Sequence, residues 1–69
     1  MWYEGYMDSY HYQAKVYDEG SIYGINEGRI SKLWMSSDGR TVANYDRGWD
    51  IRPDAEAQAA FEKIIARFA

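Results

Sequence analysis

From Tyr10 to Val16 an apolar residue stands at every second position: Tyr10, Tyr12, Ala14 and Val16 alternate with His11, Gln13 and Lys15. A period of two sorts side chains only when the chain is extended, because successive Cβ atoms then point to opposite faces. Trp2, Glu4 and Tyr6 fall on one face of a similar segment, with Tyr3 and Gly5 on the other, and Met7-Asp8-Ser9 between the two segments reads as a turn. The first seventeen residues are therefore predicted to form an antiparallel hairpin. The hairpin is unusually rich in rings. Of the chain's three Trp, seven Tyr and two Phe, all but the two Phe lie in residues 1–49. Each ring removes ~150–250 Å² from water when buried, so a few of them supply most of the core that 69 residues need.

A second hairpin is expected around Ser36-Ser37-Asp38-Gly39, since Asp-Gly suits a tight turn. Ile30, Lys32 and Trp34 are assigned to one face of its first strand, Leu33 and Met35 to the other, and Thr41–Tyr45 forms its second strand. Residues 18–28 hold three glycines, with no clear period, and read as a loop that lays Ile22 and Tyr23 over the body. Residues 46–52 read as irregular. Pro53 and Asp54 then open a helix over Asp54–Phe68, whose Ala57, Phe61, Ile64, Ile65 and Phe68 form one apolar stripe. The expected architecture is α+β in a single domain, 1–69. A four-stranded antiparallel sheet of two hairpins occupies 2–45, and one C-terminal helix at 54–68 packs on one face.

The same residues exclude several function classes. There is no cysteine, hence no disulfide and no thiolate zinc site. His11 stands alone, and no motif places a nucleophile beside a base, so no catalytic residue, metal ligand or cofactor site is assigned. The glycines of 18–28 lack the Lys-Ser/Thr of a phosphate loop. No apolar run is long enough for a membrane span, and a cytoplasmic location is the simplest expectation. The net charge of −3 weighs against nucleic acid, although single strands would stack on exposed rings if Lys15, Arg29, Lys32, Arg40 and Arg47 converged.

A protein partner remains. One helix covers one sheet face, and the aromatic residues outnumber what that seam can hide, so a second face with exposed rings is expected to bind. The candidate interface residues are Tyr10, Tyr12, Tyr17, Trp34 and Tyr45. The segment Tyr45-Asp46-Arg47-Gly48-Trp49-Asp50 adds Asp46, Arg47, Trp49 and Asp50, and Asp18 and Glu19 form an acidic loop. The expected function is a non-enzymatic interaction module, self-associating as a small homodimer or serving as an accessory factor. A small hydrolase or metal enzyme is the remote alternative.

The stretches Ala14–Ile25, Gly28–Trp34 and Tyr45–Asp50 resemble small proteins of bacteria, phages and other mobile elements. The resemblance spans about residues 2–65 and transfers no activity. It implies one further reading, an inhibitor of a host defence protein (as anti-CRISPR proteins are) that presents Asp18, Glu19, Asp46 and Asp50 to a basic groove.

Overall fold

The computed structural model describes residues 1–69. Five strands, β1 (Trp2–Met7), β2 (Tyr10–Val16), β3 (Ile30–Ser37), β4 (Arg40–Asp46) and β5 (Trp49–Ile51), form one antiparallel sheet in the order β1-β2-β3-β4-β5. A helix, α1 (Gln58–Arg67), follows, and a 3₁₀ turn, η1 (Ile25–Glu27), interrupts the long β2–β3 connection.

The sheet has five strands where four are predicted. The additional strand is β5, which pairs Trp49 with Tyr45 and Ile51 with Asn44. Three residues between Gly48 and Pro53 are too few to show alternation, so the strand is specified by its partner rather than by its own pattern. The chain reverses into it through Arg47, at φ 56°.

Both predicted hairpins form on two-residue turns. Asp8-Ser9 joins Met7 to Tyr10, and Asp38-Gly39 joins Ser37 to Arg40. All four central residues have positive φ, as the primed turns that match strand twist require. One face assignment changes. Lys15 pairs Lys32 but Val16 pairs Ile30, which leaves Ser31 as an extra residue on β3. This bulge turns Ile30 into the core, away from the face it would share with Lys32 and Trp34 under strict alternation.

The core lies between α1 and the face carrying Tyr12, Ala14, Leu33, Met35, Ala43 and Tyr45. From the helix come Ala60, Phe61 and Ile64, with Ala57 and Phe68 at its ends. Leu33, Met35 and Ile64 are the largest side chains wholly removed from solvent. The helix starts four residues later than its alanine content suggests. Asp54 Oδ1 accepts the Ala57 amide at 2.9 Å and caps a separate turn, after which α-helical bonding begins with Phe61 N to Ala57 O. The helix reaches both sheet edges: Phe61 packs edge-on against Trp49 of β5 with centroids 5.5 Å apart, and Phe68 meets Tyr3 of β1 at 4.9 Å.

The loop after β2 folds back as expected, but through a different residue. Ile25 is buried, whereas Ile22 and Tyr23 remain exposed. The Tyr45 hydroxyl, which rises from the core, donates to the Tyr23 carbonyl at 2.8 Å and ties the loop down. Glycine makes the fold-back possible. A Cβ on Gly20 would stand 2.5 Å from the Glu27 carbonyl oxygen, and one on Gly24 would overlap the Gly28 carbonyl. The three glycines are therefore a packing device in which backbone lies directly on backbone.

Candidate functional site

The sheet face opposite α1 has no covering layer. The register places Trp2, Glu4 and Tyr6 of β1 beside Lys15, Gln13 and His11 of β2, and those beside Lys32, Trp34 and Ser36 of β3. Three rings make a row across three strands. Tyr6 lies 5.1 Å from His11, and His11 meets Trp34 edge-on at 5.5 Å. Polar bonds fix the row at its centre and at its Trp34 end. His11 Nε2 donates to Glu4 Oε2 at 2.7 Å, and Trp34 Nε1 donates to Thr41 Oγ1 at 3.0 Å. Tyr6 is 74% exposed and Trp2 is 56% exposed, and apolar rings exposed together on one face mark interaction surfaces.

The predicted interface residues divide between the two faces. Tyr12 and Tyr45 are only 5% and 7% exposed and belong to the core. Tyr10 and Trp49 are half-buried and pack against the same core. These four face the core because β2, β4 and β5 direct them toward α1. Trp34 lies on the open face, and Tyr17 lies just beyond β2, exposed. Asp46 and Arg47 are exposed at the β4–β5 corner, Asp50 is exposed on β5, and Asp18 and Glu19 are exposed after β2. The acids do not act as a free cluster, since Asp46 Oδ1 stands 3.7 Å from Lys32 Nζ and 3.8 Å from Arg47 Nε. Trp2 and Tyr6, absent from the predicted interface, are the most exposed rings of the open face. Their shared alternation set was visible in the sequence; their neighbours were not.

A cleft of about 440 Å³ opens at one end of this face, lined by Lys15, Tyr17, Glu19, Ser21, Tyr23, Ser31, Lys32 and Arg47. The Ser31 bulge shapes its floor, and the Arg47 amide donates to the Ser31 carbonyl at 3.0 Å, which draws the β4–β5 corner in as a wall. The Lys15 ammonium lies 5.4 Å from the centroid of the Tyr17 ring. Lys15 holds the Tyr17 phenol below its ordinary value of 10.0, first by hydrogen bonding to the phenolate and then by its charge. Ser31 Oγ is near enough to assist, yet it is buried and no group in the molecule completes a hydrogen bond with it.

The consequence for pH is confined to the alkaline range. Tyr17 is an acid with a lowered folded value, so its stabilisation grows as pH rises through that value and is complete above 10.0. It is lost as pH falls again and contributes nothing near neutrality. Lys15→Met is expected to return the phenol toward its ordinary range. An NMR titration of the tyrosine ring carbons would show this, and an unmoved Tyr17 curve would refute the Lys15 assignment.

No three His, Cys, Asp or Glu side chains gather where they would hold a metal ion. No helix is long and apolar enough to cross a membrane. No curated protein and no solved structure matches the chain. A family model described as a domain of unknown function, DUF7678, matches residues 1–69, and the protein belongs to that family.

Proposed function

We propose that the protein is a non-enzymatic binding module that works through the open face of its sheet, with a second copy of the chain as the occupant. The observation that carries this reading is the Tyr6–His11–Trp34 row on the face without a covering layer, with Trp2 exposed beside it. His11, held by Glu4, and Trp34, held by Thr41, lose little freedom on contact, and the rings of this face supply large apolar area of the kind that dominates interface energetics. The one carboxylate within the row, Glu4, is bonded to His11, so like faces can approach without an unpaired acid between them.

Size sets the expected strength. The four long strands, of six to eight residues, rise about 3.3 Å per residue and lie about 4.8 Å apart, so together they offer a footprint on the order of 450 Å². That is below the roughly 800 Å² per partner of standard interfaces, which places self-association in the micromolar range or weaker. Light scattering from about 10 μM to 1 mM should therefore show mass rising toward the dimer. Tyr6→Ala combined with Trp2→Ala should move the midpoint upward by about tenfold or more, the size of one to two kcal/mol at a hot spot. A constant monomer mass over the whole range would end the proposal for self-association.

A further inference from the structure

The cleft at the end of the open face carries a feature that a merely structural surface would avoid. Lys15 and Lys32 are direct partners in the β2–β3 register and project from the same face. Like charges placed opposite one another across strands repel and weaken the sheet. Arg47 adds a third cation to the same cavity, held there by a backbone in the left-handed region at φ 56°. Ser31 completes the set. It is 5% exposed, it lines the cavity, and its hydroxyl lacks any partner within the protein.

We propose that this cleft binds a small molecule bearing a phosphate group, with the phosphate between Lys15 and Lys32, within reach of the Arg47 guanidinium and above the floor that Ser31 forms. The charge count selects the ligand class. Lys15, Lys32 and Arg47 outnumber Glu19 of the lining and Asp46 at its margin by one, so the cleft favours an anion, and the acceptor oxygens of a phosphate can engage all three cations. Asp46 stands outside the lining and bridges Lys32 to Arg47, which keeps those two cations close before any ligand arrives. A volume of about 440 Å³ exceeds the needs of an inorganic ion. It falls in the range of small-molecule sites, roughly 300–1,000 Å³. The exposed rings of Tyr17 and Tyr23 give the organic part of the ligand flat apolar walls. An anion seated between the lysines also converts their repulsion into attraction.

This proposal stands apart from self-association, and one set of samples separates the two. The full chain is titrated with inorganic phosphate, adenosine 5′-monophosphate and adenosine while backbone amide shifts are followed and the mass is checked by light scattering. The two phosphate-bearing probes are expected to give saturable shifts at residues 15, 31, 32 and 47, with the monophosphate the tighter, and adenosine to give none. Lys15→Gln should weaken the monophosphate by about tenfold, the effect expected for loss of one charge-assisted bond. The same variant should be no less stable without ligand, because the lysine pair is gone. Lys32→Gln provides a second test should the first variant fail to fold. Absence of saturation by about 10 mM, a weakness that corresponds to under 3 kcal/mol of binding, would overturn the proposal. So would binding of adenosine as tight as that of its monophosphate, or unchanged affinity in both variants.

Discussion

Phe61→Ala is expected to leave much of the protein unfolded at 37 °C. Phe61 is almost wholly buried and touches Trp49, the first residue of the shortest strand. Truncating such a ring costs about 3–5 kcal/mol, from lost burial and from the cavity left behind. A chain of 69 residues has only roughly 3–10 kcal/mol of total stability to lose. The loss is concentrated where it does most harm, because β5 has three residues and is held to the body by its pairing with β4 and by the Tyr45–Trp49–Phe61 ring contacts. Urea unfolding followed by near-ultraviolet circular dichroism would measure the change. Phe61→Leu, which keeps most of the volume, should recover a large part of it. If the alanine variant unfolded within a few tenths of a molar urea of the parent, the Phe61–Trp49 contact would not be what secures β5 to α1.

Gly24→Ala is expected to be nearly as damaging, although it adds only a methyl group. The new carbon would overlap the carbonyl of Gly28, and backbone atoms cannot turn aside as a flexible side chain can. The loop must then lift. Ile25 leaves the core, and the Tyr45 hydroxyl loses its acceptor at Tyr23. An apolar side chain of that size and one buried hydrogen bond together amount to about 2–4 kcal/mol. Hydrogen exchange supplies a local readout: the Gly28 amide, bonded to the Ile25 carbonyl at 2.9 Å, should exchange far faster in the variant. Gly48→Ala is the control. Nothing lies within 4 Å of a Cβ at that position, so its effect should stay within about 0.5 kcal/mol. Equal behaviour of the two variants would mean that the loop is not wedged as described.

Much of the fold was legible because its signals are local. The stripe Ala57, Phe61, Ile64 and Phe68 is the buried side of α1, and Asp38-Gly39 is a hairpin turn. What escaped depends on partners. β5 takes its conformation from β4, and the Ser31 bulge exists only in the pairing of β3 with β2. The candidate site was less legible for a related reason. Alternation states which residues share a face, but not which face the helix will take. Tyr12 and Tyr45 thus went into the core while Trp34 stayed outside. The opposition of Lys15 and Lys32 requires the register between two strands separated by a long loop, and neither strand specifies that register alone.

The reach of α1 from one margin of the sheet to the other has a consequence for biosynthesis. Every strand pairs only with its neighbour in the chain, an arrangement that closes through short steps and favours rapid assembly. The ring that covers Tyr3 is nevertheless Phe68, so the first of the five strands to be synthesised awaits the final turn of the helix. At about 5–20 residues added per second, nascent β1 spends several seconds without its permanent lid. During that interval Tyr3, like the permanently exposed Trp2 and Tyr6, is open to chaperones or to another nascent chain on the same message.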